Sequence, residues 1–357
     1  MTASVDRHVD VLIVGHGLAG TALAWELLWR EVSCLIIDRE DAETSSRVAA
    51  GLVTPVTGRR FVRSGEWDRD RQNAEQFYTR VGETLGQTVF HPQEMLRLFA
   101  TAEERNLFEQ KFHANDSRIQ ILPESEFDRS ALTAPFGGFA MLDAARLDVA
   151  KYLDLSRDYF RSLGRYRTAT FDDSKIDPSK PMILEDLDIS AERAIFCQGF
   201  AAVNNRWFAE IPFDATQGEI LTIRLPGWTD SRVIHRGIWI APERDELYRI
   251  GATHQRSPLD GIPTQQGRAE LLDRLHELLP RADDVVEQRA AVRPILQGRQ
   301  PAIGFHPKYP RLGYFNGLGS KGSLLAPGLA AHLAGVLARE DELAAEYDFN
   351  RRWNLST

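Results

Sequence analysis

The chain of 357 residues is long enough for two ordinary domains or one large discontinuous fold. Apolar residues make up 43% and charged residues 26%, which excludes a disordered chain. With 43 Lys and Arg against 51 Asp and Glu, the net charge is −8, so no nucleic-acid partner is expected and an anionic membrane surface is disfavoured.

Two cysteines, Cys34 and Cys197, cannot supply a disulfide framework or a four-thiolate metal site. Both fall in apolar, strand-like runs and read as small core residues. No stretch reaches the roughly 18 apolar residues of a membrane span, so no integral membrane segment is expected. The opening MTASVDRHVD lacks the apolar core of a secretory signal, and a cytoplasmic location follows as the expectation.

In chain order, Val11-Leu12-Ile13-Val14 reads as a strand buried on both faces. Gly15-His16-Gly17-Leu18-Ala19-Gly20 follows, then a helix over 21–30 and a second strand over 33–37 ending at Asp38. Strand, glycine turn, helix, strand and terminal acid make a dinucleotide-binding unit. Backbone amides from Gly15 to Gly20, with Leu18 and Ala19 among them, face a pyrophosphate, and Asp38 accepts from a ribose diol. Trp25 and Trp29, one helical turn apart, read as core.

The run from Thr44 to Pro55 is a small-residue loop in which Gly51 and Pro55 forbid a regular helix. It is either a packed turn or backbone laid against something flat. Helices are expected over 65–87, 102–113, 147–163 and 268–279, with Asp148 near a cap. Strands are expected over 165–171, 193–197 and 219–225, and a hairpin joins 239–242 to 247–251. No long Gly/Ser linker separates domains, so a second domain is expected to be inserted into the nucleotide fold.

Residues 312–316 read as a strand, followed by Gly317-Leu318-Gly319-Ser320-Lys321-Gly322-Ser323 and a helix over 324–337 with Pro327 in its first turn. This is a second glycine loop feeding a helix start. One nucleotide needs one such device; two imply a long cofactor whose far ring gains negative charge on reduction.

Together these segments resemble the FAD-dependent D-amino-acid oxidase and glycine oxidase superfamily over nearly the whole chain. The motifs stand in family order: Gly15–Gly20, Asp38-Arg39, the loop from Ser46 to Leu52, and Cys197-Gln198-Gly199. Thr216-Gln217-Gly218-Glu219, Gly251-Ala252-Thr253, Val292-Arg293-Pro294 and Gly317–Gly322 complete the set. Asp38 stands where the family usually has Glu, and 295–302 lacks an acid often found there.

The resemblance implies an α/β fold: a discontinuous, Rossmann-like FAD-binding domain with an inserted substrate domain on a large mixed sheet. The FAD domain would take 1–75, 145–205 and 285–357, and the substrate domain 76–144 and 206–284. It also implies non-covalent FAD, held by Asp38 and Arg39, by Ser46, Ala49, Ala50, Gly51 and Leu52, and by Gly199. Gly319, Ser320, Lys321, Gly322 and Ser323 would meet the pyrimidine edge of the ring. Residues 318–322 also look like the oxidase half of the bifunctional tRNA wobble-uridine modification enzyme, which removes a carboxymethyl group from a secondary amine.

The implied reaction is oxidation of a C–N bond in a small amino acid or N-substituted amine, with hydride passing to the flavin and the imine hydrolysing. Electrons then go to O2, with Lys321 as a cation beside the ring, or to another acceptor in a dehydrogenase. Arg293 suits a substrate carboxylate, its alternative being an ion pair with Glu287. Tyr248 and Tyr314 either donate a hydroxyl to substrate or satisfy it in the core. His254 is the single histidine near a motif, and Arg59-Arg60 either face the active-site mouth or are solvated.

Overall fold

The computed structural model describes residues 7–58, 60–63, 66–112, 118–127, 132–184, 187–279, 284–353 and 355. Arg59, and the expected helix ends Gly65 and His113, lie outside them.

The strand Arg7–Val14 pairs in parallel with Cys34–Asp38 on one side and Ile189–Phe196 on the other, with Ile13 opposite both Ile36 and Ile195. Tyr166–Thr168 extends the sheet beyond Cys34–Asp38; Leu312–Asn316 and then Ala302–Phe305 extend it on the far side. Met182–Leu184 adds an antiparallel edge to Ile189–Phe196. One face packs under the helices Leu18–Trp29, Val149–Ser162 and Gly322–Leu337, the other under Trp207, Phe208 and Ile211. Burial on both faces explains the unbroken apolar runs in these strands. Gly322–Leu337 is buried nearly all round, so its small residues let it lie close to Leu18–Trp29. Asp148 caps Val149–Ser162, its carboxylate accepting from the Lys151 amide at 3.1 Å.

A second sheet has eight strands, in the order Asp284–Arg293, Thr216–Arg224, Leu247–Gly251, Ile238–Pro242, Val233–Arg236, Met95–Leu98, Gly138–Met141 and Ile119–Leu122. The expected segment boundary at 285 falls at the start of one of these strands. Asp284–Arg293 pairs along its length with Thr216–Arg224, from Arg224↔Asp284 to Thr216↔Arg293, and so belongs to the larger sheet. Tyr248 and Ile250 face Leu271, Leu275 and Leu278 of the helix Gln265–Leu278; Arg249 and Gly251, by strand alternation, face the other way.

Glu219, on Thr216–Arg224, is fully buried beneath the start of Gln265–Leu278. Its carboxylate accepts from the Thr264 amide at 2.9 Å, the Thr264 hydroxyl at 2.7 Å and Gln288 Nε2 at 2.6 Å. Three donors and a helix N-terminus hold a carboxylate that has no ion-pair partner among the described residues. Glu219→Leu strands those donors and is expected to cost about 3 kcal/mol, read as a lower denaturant midpoint at unchanged slope.

Candidate active site

The first glycine loop turns at the end of Arg7–Val14 and delivers the chain to the N-terminus of Leu18–Trp29, with Gly17 as its cap residue. Ser46 Oγ accepts from the Leu18 amide at 3.1 Å. The amides of Ala19 and Gly20 have no acceptor among the described residues, so the helix start keeps open donors. Asp38 Oδ2 accepts from the His16 amide at 2.6 Å and Oδ1 from the Glu40 amide at 2.6 Å, which fixes the carboxylate beside the loop while leaving acceptor capacity. Arg39 is exposed and pairs with Asp41 at 3.3 Å. His16 is buried edge-on to Tyr166, ring centroids 5.2 Å apart. Burial and the nearby Arg47 hold its pKa down to about 3, so it is neutral.

The second loop leaves Leu312–Asn316, two strands away, and reaches the same end of the sheet. Gly319 and Lys321 are partly exposed, Ser320 is exposed, and Gly322 and Ser323 are buried at the start of the last helix. The Gly322 and Ser323 amides find no acceptor among the described residues. A Cβ on Gly322 would lie 2.8 Å from Leu18 Cδ1, so the two helix starts stand side by side. Asn316 Nδ2 donates to the Gly199 carbonyl at 2.8 Å and ties the end of Ile189–Phe196 to this loop. Lys321 lies within electrostatic reach of Asp70, at the start of the helix Trp67–Leu85.

The small-residue loop runs from this cradle to the larger sheet. After one helical turn, Ser45–Val48, Arg249 donates to the Ala49 carbonyl at 3.0 Å and also to the Val48 carbonyl. Arg146 Nε donates to the Ala50 carbonyl at 3.1 Å, and the Leu147 amide to that of Gly51 at 2.9 Å. Leu52–Val53 then pairs with Ala145–Leu147. Glu243 stands between the arginines, 2.7 Å from Arg146 Nη2 and 3.8 Å from Arg249 Nε. Arg146, Arg249 and Glu243 were not legible as site residues, because they lie nearly a hundred residues or more from the loop they hold.

Arg293 ends its strand with the guanidinium lying over Gly218: a Cβ there would sit 2.0 Å from Nη2. Nη1 donates to the Thr253 carbonyl at 3.2 Å, and no carboxylate pairs with Arg293 among the described residues. Burial pulls its pKa down to about 10, still a cation at neutral pH. Glu287 instead lies 3.5 Å from Thr222 Oγ1. Trp239, also missed, crosses the same face: a Cβ on Gly251 would be 2.6 Å from its ring. His254 is exposed at its edge while its ring is partly withdrawn from water, and this desolvation, then the Arg293 charge, brings its pKa to about 4.

Tyr248 does not join this group. It lies on the opposite face of the sheet, and its hydroxyl donates to the Trp228 carbonyl at 2.8 Å. Tyr314 is buried against Phe208 and Phe349, in the core on the face of the seven-stranded sheet away from its three helices. Among the described residues no cluster of His, Cys, Asp and Glu can hold a metal, and no helix is long and apolar enough to cross a membrane.

Two adjoining helix starts with open amides, a carboxylate at the ribose position and a clamped small-residue loop suit a long dinucleotide cofactor. Comparison with known proteins agrees. Glycine oxidase from Geobacillus kaustophilus superposes with a TM-score of 0.80 at 20% identity, over 96% of this chain and 97% of that one. Iminodiacetate oxidase from Chelativorans sp. BNC1 gives 0.77 at 21%, over 95% and 98%. The tRNA 5-methylaminomethyl-2-thiouridine biosynthesis bifunctional protein of Caulobacter sp. (strain K31) is 27% identical over 94% of this chain, which spans 55% of its length. The family model described as FAD dependent oxidoreductase, DAO, matches residues 10–336, and the chain belongs to that family of FAD-dependent oxidoreductases.

Proposed function

We propose that this protein oxidises the C–N bond of a small amino acid or N-substituted amine and that Arg293 anchors the substrate carboxylate. The observation that carries the reading is a largely buried guanidinium that, among the described residues, has one carbonyl partner and no carboxylate. A cation held largely out of water without a carboxylate is costly, so the site gains most from a ligand that brings an anion. Bidentate pairing fixes the carboxylate and, with it, the direction of the adjacent C–H bond.

FAD, when bound, supplies the two-electron acceptor that the C–H bond requires. Gly15, Gly17, Leu18, Ala19 and Gly20 would hold its pyrophosphate, Asp38 and Arg39 its ribose. The loop from Ser46 to Leu52, Gly199 and Gly319 to Ser323 would hold its far end. His254, neutral at pH 7, is a weak proton acceptor, so the substrate ammonium loses its proton to solvent before C–H cleavage. Trp239 bounds the space beside Arg293 and limits the side chain accepted. We divide the chain into a nucleotide unit on the seven-stranded sheet and a substrate unit on the eight-stranded one, with Asp284–Arg293 in the latter.

We take the acceptor to be O2. Lys321 would stabilise the negative charge that builds as electrons pass to oxygen. An oxygen electrode with glycine, sarcosine, D-alanine and iminodiacetate tests both points. Oxygen uptake matched by hydrogen peroxide is expected, with slower reoxidation in Lys321→Met. Flavin reduction without oxygen uptake would make the protein a dehydrogenase, and silence with all four would exclude the substrate class. The purified protein should release its FAD on acid precipitation, because Cys34 and Cys197 are both buried in strand regions; flavin retained in the pellet would contradict this.

A second reading rests on the likeness to the tRNA-biosynthesis protein: the amine would be borne by a tRNA base. The net charge of −8 counts against an RNA surface.

A further inference from the structure

We infer that Arg249 and Arg146, braced by Glu243, are positioning residues that turn the small-residue loop so that its amides face the flavin. The inference rests on the FAD site proposed above. Four consecutive carbonyls, those of Val48, Ala49, Ala50 and Gly51, are all taken, two by Arg249 of Leu247–Gly251 and two by groups of Ala145–Leu147. One guanidinium takes two of them, a second takes the third, and the Leu147 amide takes the fourth. The Ala50 and Gly51 amides are left without an acceptor among the described residues. Ala50 and Gly51 are themselves buried, so these donors are withheld from bulk water.

The loop starts against the dinucleotide cradle, where Ser46 holds the Leu18 amide, is held midway by Arg249 of the sheet that carries Arg293, and ends paired with Ala145–Leu147. A cofactor with its pyrophosphate at Gly15–Gly20 and its ring toward Arg293 must pass along it. Two guanidiniums on the carbonyl side polarise the peptides, which strengthens the opposed N–H groups as donors to a ring that becomes more negative on reduction. Both side chains are only 16% exposed, and Glu243 between them limits their mutual repulsion.

A clamp that only holds the fold would change stability and leave the flavin's redox behaviour alone. The test is the two-electron midpoint potential of bound FAD, with FAD affinity measured by titrating the apoprotein. Arg249→Met and Arg146→Met are each expected to lower the equilibrium constant for reduction about tenfold, about 30 mV more negative. Arg249→Lys should fall between, since one ammonium cannot hold both carbonyls in one plane. Wild-type potentials in both Met variants, with FAD bound, would overturn the inference. Full rescue by Arg249→Lys would overturn it too, assigning the effect to bare charge. If Arg249→Met fails to fold, Arg146→Met and Arg249→Lys decide the matter by the same readout. Wild-type protein that binds no FAD would instead defeat the reading beneath it, and the inference with it.

Discussion

Arg293→Lys is expected to raise the KM for carboxylated amines about ten- to a hundred-fold while FAD content stays unchanged. The guanidinium offers two parallel donors in one plane, and an ammonium offers a point charge at a different reach. Losing one charge-assisted hydrogen bond costs about 1.5–3 kcal/mol, which is the stated range in affinity. The side chain also lies directly over Gly218, so a shorter, non-planar head leaves a gap above that backbone. Steady-state kinetics on purified holoprotein give the answer. Unaltered kinetics would make Arg293 a structural cation, and loss of FAD would place it in the cofactor's support.

Gly20→Ala is the second large effect. A Cβ at this position would sit 2.0 Å from the Gly15 carbonyl oxygen and 3.1 Å from Ile13 Cγ2, so a backbone atom blocks it. The helix Leu18–Trp29 would have to move off the strand Arg7–Val14, carrying the open amides of the cradle with it. Overpacking of this kind costs about 3 kcal/mol. Saturating FAD raises the Tm of a protein that binds it in the folded state. That increment should be large in the wild type and collapse in Gly20→Ala, as differential scanning calorimetry with and without FAD would show. An undiminished increment would mean that the first loop does not carry the cofactor.

What the sequence makes legible follows from how local each signal is. The first strand, glycine turn, helix and second strand form within the segment from Arg7 to Asp38, and the acid at Asp38 closes the unit in sequence as in space. Leu312–Asn316 and the helix after it are equally local, and the expected bounds of that strand coincide with the observed ones. Strands of the larger sheet were harder. Met95–Leu98, Gly138–Met141 and Ile119–Leu122 are four residues each, and Asp284–Arg293 carries charges at four of its ten positions, so neither periodicity nor apolar content marks them.

At the site the same rule holds. The glycine loops and Arg293 sit in motifs that local order reveals. The arginines that hold the Val48, Ala49 and Ala50 carbonyls come from strands about 100 and 200 residues further on, and a surface arginine has the same sequence signature as a buried one. Tyr248 failed for a related reason. In a strand, one step decides which face a side chain takes, and only the pairing of Leu247–Gly251 with its neighbours fixes that step.

In the proposed reaction, a carboxylate on Arg293 presents an amine to the flavin. Anaerobic mixing of the holoprotein with matched amines, followed by flavin absorbance, tests it most directly: glycine against methylamine, and sarcosine against dimethylamine. Bleaching by the carboxylated member of at least one pair is expected, with no reduction by its partner at equal concentration. Equal bleaching by both members, or bleaching that survives intact in Arg293→Met, would contradict it.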